Sequence, residues 1–249
     1  MTTSILTISG LTKRFAGIVA TNNLSLDVLT GETHALIGPN GAGKTTLIAQ
    51  LQGELKPDAG SIVFNGADIT KEAPYRRAAL GISRSFQITS IFPKFTVLAN
   101  VLTAVMAQQG HSYRMWRDAA TDQQLLEPAR FALDTVGLSQ RARIYAEELS
   151  HGERRQLELA MAVALKPSLL LLDEPMAGMG RHDGQQMTRI LLELKSKYSI
   201  VIVEHDMDAV FALADRVSVL VAGAIIATGL PDSVRVNPAV KAAYLGHRA

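Results

Sequence analysis

Lys44, Thr45 and the glycines ahead of them are the residues whose spacing most directly implies a reaction. Gly38-Pro39-Asn40-Gly41-Ala42-Gly43-Lys44-Thr45-Thr46 has the form G-x-x-x-x-G-K-[ST], a loop that cradles phosphates. Glycines let successive backbone N–H groups turn inward around an anion, which a Cβ would obstruct. Thr45 to Leu51 contains good helix formers, and a helix starting there aims its positive end at the same anion. Lys44 has the reach for β- and γ-phosphates, and the Thr45 hydroxyl can ligate Mg²⁺. The set suits a nucleoside triphosphate; the plainer alternative is a Gly-rich turn.

Three further stretches carry candidate chemistry. Asp173-Glu174-Pro175 follows an apolar run. An acid at such a strand end can hold Mg²⁺, directly or through water. A second acid beside it can polarise a water for attack on a γ-phosphate. Alone, the pair could equally be acids capping a strand in solvent. Ser150-His151-Gly152-Glu153 has S-x-x-E capping-box spacing. A Ser and a Gly at a helix start also make an anion site, which could serve a neighbouring subunit's nucleotide. Spacing favours the cap. His205, within Val203-Glu204-His205-Asp206, could bond a γ-phosphate or sit in a surface network, and spacing leaves both open. His34, His111, His182 and His247 show no metal-ligand spacing.

These residues need a frame. Thr33–Ile37, Leu169–Leu172 and Ile200–Val203 are apolar runs of the kind found in parallel strands buried on both faces. Ligands bind beyond the carboxyl ends of such strands. Ile5, Leu6 and Ile8, then Leu24, Leu26 and Val28 in alternation, read as strands, as does Ser61–Phe64 before the Asn65-Gly66 hairpin signal. From Thr96, Val97/Leu98, Val101/Leu102 and Val105/Met106 recur every four residues, and Gln124–Val136 and Glu153–Leu165 read as further helices. Val217–Val221 and Ala224–Thr228 suggest a closing hairpin through Ala222-Gly223, with short helices near Pro231–Val236 and Pro238–Leu245. The expected fold is an α/β P-loop NTPase: a mainly parallel core sheet, an N-terminal antiparallel β subdomain and an inserted helical subdomain. All of 1–249 forms one domain, with a core lobe of about 1–86 and 161–249 and helices at about 87–160.

Bulk properties narrow the partners. The 249 residues are 47% hydrophobic and 19% charged, ordinary for a globular chain with a substantial core. A net charge of +2 advertises no nucleic-acid partner. Cysteine is absent, which fits a reducing interior. Met1-Thr-Thr-Ser lacks a basic start and a long apolar run, so no secretory leader is expected. The uncharged stretches Phe95–Tyr113 and Val217–Pro231 are interrupted by polar residues or by Gly223, and neither reads as a bilayer span.

Taken together, these stretches resemble an ABC ATPase along essentially the whole chain. Gly38–Thr46 matches the nucleotide loop, Leu149-Ser-His-Gly-Glu153 the family signature, and Leu169–Pro175 the strand with its acids. Gln87, in Arg84-Ser-Phe-Gln87, matches the glutamine linking nucleotide to transmembrane partner. His205 matches the switch histidine, and Phe15 the aromatic that stacks on adenine. The resemblance implies ATP and Mg²⁺ as ligands, with Thr45, Gln87 and Asp173 toward the metal. Glu174, His205, Lys44 and Gln87 would be catalytic; Phe15, the loop, Ser150, His151 and Gly152 would contact nucleotide. Two departures stand out: His151 replaces the usual Gly of the signature, and Gly180 replaces the usual Asp after Met176-Ala-Gly-Met179.

Arg84-Ser-Phe-Gln87, Met176-Ala-Gly-Met179, Glu204-His-Asp-Met207 and Ala243-Tyr-Leu-Gly246 resemble ATPases of branched-chain amino acid importers. Urea importers are the nearest rival and lipopolysaccharide-extracting ATPases a further one. A nucleic-acid clamp ATPase would carry a long coiled-coil insertion or a second ATPase domain, and neither is present. The family implies a peripheral subunit on the cytoplasmic face of the inner membrane. It would pair head to tail with a second ATPase, copy or paralogue, and serve a substrate-binding protein indirectly. Gln87 to Phe95, with apolar Ile88, Ile91, Phe92 and Phe95, would meet the permease.

Overall fold

The runs Leu169–Leu172 and Ile200–Val203 are apolar because both faces of their strands are covered. A computed structural model describes residues 3–85, 91–108 and 122–245. Its larger sheet combines β3 (Thr33–Ile37), β6 (Ile82–Ser85), β7 (Leu169–Asp173), β8 (Ser199–Val203), β9 (Arg216–Val221) and β10 (Ala224–Gly229), in the order β10-β9-β3-β8-β7-β6. All neighbours pair in parallel except β10, which returns antiparallel on β9. Leu169, Leu171, Val201 and Val203 point into one apolar cluster; Leu170, Leu172, Ile200 and Ile202 point into the other. That is strand alternation with no polar face. Burying each such side chain contributes roughly 1.5–3 kcal/mol, so register is strongly specified.

The smaller sheet is antiparallel: β1 (Ser4–Phe15), β2 (Ile18–Leu29), β4 (Ala59–Phe64) and β5 (Ala67–Asp68), in the order β2-β1-β4-β5. Asn65 and Gly66 both have positive φ, 48° and 79°, the type I′ hairpin anticipated from their identities. Helix α1 (Lys44–Gln52) places Leu47, Ile48 and Leu51 in the cluster between the two sheets. A short α2 (Pro74–Leu80) then leads into β6.

On the other face lie α3 (Val97–Gln108), α4 (Gln123–Thr135) and α5 (His151–Ala164), packed on one another. Val101, Val105, Leu133, Leu157 and Ala160 join the sheet's own Leu170 and Leu172 in one continuous core. Helix α5 spans the expected boundary at 160/161 and touches β6 as well as α3 and α4. Helices α6 (Arg181–Lys195), α7 (Met207–Leu213), α8 (Pro231–Val236) and α9 (Pro238–Leu245) complete the described chain. Among the described residues no helix is long and apolar enough to cross a membrane.

The topology prepares one rim. Leu36 pairs with Val203, and Asp173 with Val203 from the other side. The chain therefore leaves β3, β7 and β8 at the same edge, bringing Gly38, Glu174 and Glu204 together there.

Candidate functional site

The phosphate loop joins β3 to α1, and its glycines are needed by geometry. A Cβ on Gly38 would lie 2.1 Å from the Leu220 carbonyl oxygen; one on Gly43, at φ 107°, would lie 2.2 Å from that of Ala20. The Gly223 N–H donates to the Ala42 oxygen at 2.8 Å, so the β9–β10 turn braces the loop from behind. No side chain caps α1, whose N-cap is Gly43. Its first N–H groups are thus left for another acceptor, the condition under which a helix start takes an anion.

Lys44 is buried and donates to the Gly38 and Pro39 oxygens, at 2.7 and 3.0 Å. Desolvation pulls its pKa below the ordinary lysine value, against the opposing pull of Glu174 and Asp173. Pro39 and Thr46 are half-buried, Ala42 is buried, and Asn40, Gly41 and Thr45 are exposed on the rim.

Asp173 ends β7 in a buried position, with Oδ2 2.9 Å from Arg84 Nη2. Burial raises its pKa, and Arg84 works against that rise. The next residue, Glu174, has φ 49°, unusual for a side chain with a Cβ, and its N–H donates to the Val203 oxygen at 2.9 Å. His205 Nδ1 stands 4.0 Å from Glu174 Oε1 and 3.8 Å from Glu204 Oε2. Glu204 itself is buried, accepts the Met176 and His205 N–H groups, and has its pKa raised by burial. Strained backbone at Glu174 and a buried acid behind His205 are the kind of cost that persists at functional sites.

The structure therefore gathers Lys44, Asp173, Glu174 and His205 at one rim, and leaves Ser150, His151 and Gly152 elsewhere. Ser150 caps α5: its hydroxyl accepts the Glu153 N–H at 3.2 Å and its own N–H donates to Glu153 Oε2 at 2.9 Å. Among the described residues no hydrogen bond or ion pair joins 150–152 to the phosphate loop. His151 Nε2 instead lies 3.3 Å from the Ala177 oxygen, beside Gly178. A Cβ on Gly152 would meet Asp183 at 2.7 Å. Phe15 is 46% exposed at the tip of the β1–β2 hairpin, with Lys13 Nζ 5.7 Å from its ring centroid. Gln87 and Ile88, expected toward metal and permease, fall outside the described residues.

The expected partner surface needs one correction. Ile91 is buried as part of the main core rather than presented to a partner. Phe92 and Phe95 are 47% and 45% exposed, and their rings stack at 5.1 Å. Phe92 borders a largely apolar groove of about 370 Å³, with Ala104 and Met161 on the helical side and Pro74, Ala78 and Arg84 opposite. Arg84 and Glu204 take part although sequence reasoning assigned them no role; a charged residue inside a strand, and an acid closing an apolar run, were the available signals.

The sequence profile described as ABC transporter matches residues 21–177, and that described as branched-chain amino acid ATP-binding cassette transporter matches residues 224–249. The high-affinity branched-chain amino acid transport ATP-binding protein LivG of Escherichia coli is 34% identical over 258 aligned positions, spanning 99% of each chain. The lipopolysaccharide export system ATP-binding protein LptB of Haemophilus influenzae is 34% identical over 246 positions, spanning 98% of each. A crystal structure of an ATP-binding cassette of an ABC transporter in its ADP conformation superposes with a TM-score of 0.88 at 32% identity, covering 98% of this chain and 100% of that one.

Proposed function

The chain belongs to the family of ABC transporter ATP-binding subunits, and on that premise we propose that it powers an importer of branched-chain or other hydrophobic amino acids. As an ABC transporter ATPase it binds and hydrolyses ATP to drive transport. The amino acid assignment rests on the match of residues 224–249 to the branched-chain profile, together with full-length similarity to LivG. The likeness to LptB at the same identity supports lipopolysaccharide export as the second reading.

One observation carries the mechanism: the uncapped α1 start shares a rim with Glu174 and His205, while among the described residues Ser150 to Gly152 make no hydrogen bond or ion pair to the phosphate loop. A site divided in this way is completed by a second ATPase subunit turned head to tail, copy or paralogue. Backbone N–H groups of Gly41 to Thr45 would hold the phosphates, and Lys44 would exchange its bonds to the loop carbonyls for phosphate oxygens. Phe15 would stack on adenine. Glu174 would orient a water and accept its proton as the oxygen attacks the γ-phosphorus, releasing ADP and phosphate. His205, steadied by buried Glu204, would hold the γ-phosphate. The exposed Thr45 hydroxyl and the Asp173 carboxylate are hard oxygen donors of the kind Mg²⁺ takes; Gln87 is proposed with them. Mg²⁺, when bound, neutralises charge on the β- and γ-phosphates.

The groove bordered by Phe92 would receive a permease segment, fixing the subunit to the cytoplasmic face of the membrane. The decisive variant is Glu174→Gln. It should bind ATP, hydrolyse it at least about a hundredfold more slowly, and accumulate as an ATP-held dimer on size exclusion. Full turnover in that variant would remove Glu174 from the role. Uptake of leucine rather than export of lipopolysaccharide, in vesicles carrying the complete transporter, decides the cargo.

A further inference from the structure

Arg84 touches three parts of the molecule that the proposed mechanism treats separately. Its Nη2 bonds Asp173 Oδ2 at 2.9 Å. Its Nη1 bonds Gln52 Oε1 at 2.7 Å and Glu54 Oε2 at 3.2 Å, at the far end of the helix whose start makes the phosphate loop. Its remaining side lines the groove. The residue is 9% exposed, in β6, with Arg84 paired to Leu171 across the sheet. A second groove-lining arginine, Arg77, is fully buried and donates to the Gln50 and Leu51 oxygens, so both hold the same end of α1.

The bonding of Arg84 is incomplete. Its Nε–H is buried and has no acceptor among the described residues. Buried donors normally find partners, and an unpaired one favours whatever supplies an acceptor. The groove is where one could arrive. Asp173, in turn, has one carboxylate oxygen engaged by Arg84 and a second available to a metal or its water. A fork of donors fixed at Gln52 and Glu54 thereby sets the rotation of that carboxylate.

We propose that Arg84 is a positioning residue: it aims Asp173 at Mg²⁺–ATP and makes that aim depend on what fills the groove. The inference rests on Asp173 facing Mg²⁺–ATP as described above, and it adds a residue and a route to that site. The Arg84–Asp173 pair joins two separate motifs across the sheet and is fixed by the register of β6 on β7.

The test is the affinity of the full chain for a fluorescent ATP analogue, measured with Mg²⁺ and again with EDTA. In the native protein Mg²⁺ should tighten binding. Arg84→Gln should leave the EDTA value unchanged within about twofold while losing about tenfold or more of the Mg²⁺ gain, the usual size of such outer contacts. Arg84→Lys should restore part of it. Gln52→Leu, which frees one anchor without leaving Asp173 unpaired, should shift the gain in the same direction by less. With the permease in nanodiscs, the gain of the native chain should change by about fivefold or more, and that of Arg84→Gln should not. Equal losses with Mg²⁺ and EDTA, or an unaltered gain in both Arg84→Gln and Gln52→Leu, would overturn the positioning role. An equal permease effect on native and variant chains would remove the route through the groove. A native chain with no Mg²⁺ gain at all would instead overturn the assignment of Asp173.

Discussion

Two glycines in the phosphate loop share a conformational demand but not a steric one, and alanine separates the two. Gly41 and Gly43 both have positive φ, 78° and 107°. Placing an L-residue there costs about 1–2 kcal/mol in either case. A methyl at Gly41 meets nothing within 4 Å, whereas one at Gly43 would sit 2.2 Å from the Ala20 carbonyl oxygen. Either β2 or the loop must move to relieve that contact, at a further cost of about 1–3 kcal/mol by analogy with overpacked cores. In a domain of this size about 1 kcal/mol corresponds to roughly 2–4 °C in Tm. Gly41→Ala should therefore lower Tm by about 4 °C and Gly43→Ala by about 10 °C. Differential scanning fluorimetry, with and without Mg²⁺–ATP, reads both effects. The rise in Tm on adding nucleotide should survive in Gly41→Ala and largely vanish in Gly43→Ala, where the shifted loop no longer converges on the phosphates. Equal losses in the two variants would refute the idea that β2 backs the loop.

The remaining expectations concern the divided site, its cap and the groove. Ser150→Arg should abolish hydrolysis while leaving equilibrium ATP binding intact; loss of binding as well would put that serine in the same subunit's site. Phe92→Asp should keep the ATPase rate of the isolated chain and stop uptake in reconstituted vesicles, and normal uptake would rule out the groove as the docking face. Partial burial pushes the Glu153 carboxyl up, but the Ser150 N–H and hydroxyl and the Arg141 guanidinium outweigh it and hold the pKa below the usual range. A depressed carboxylate stabilises the fold above its unfolded pKa and loses that contribution as pH falls through the folded value. The Tm deficit of Glu153→Gln should accordingly be largest near neutrality and shrink as pH falls below the usual carboxylate range, as followed by thermal melts across pH; a deficit constant with pH would deny the charge any part in the cap.

Much of this arrangement was legible because its signals are local. The continuous apolar runs of β7 and β8, the Asn65-Gly66 turn and the α3 stripe each follow from neighbouring residues. Helix α6 could have been read too, since Met187, Ile190, Leu191 and Leu194 are buried at helical spacing, but Gly184 and a charged first turn weaken its outline. Strand β6, Ile82-Ser-Arg-Ser85, has almost no apolar pattern, being short and on the sheet edge. The pairing of Arg84 with Asp173 spans 89 positions and depends on β6 lying beside β7. Ile91 illustrates the converse: apolar identity beside Phe92 does not reveal which of the two faces inward. For Ser150, spacing identified the cap correctly, and the role beyond capping rests on the likeness of Leu149-Ser-His-Gly-Glu153 to the family signature.

The brace behind the phosphate loop has a practical consequence for trimming this protein. Every stretch from which nucleotide recognition was read ends by Asp206, yet Leu220 and Gly223 form the wall and strut on which Gly38 and Ala42 rest. A fragment cut after Asp206 would retain the full recognition vocabulary and lose the scaffold that gives it shape. Conversely, a reporter dye at Ala222 would sit one residue from that strut, within earshot of the triphosphate without standing in its way.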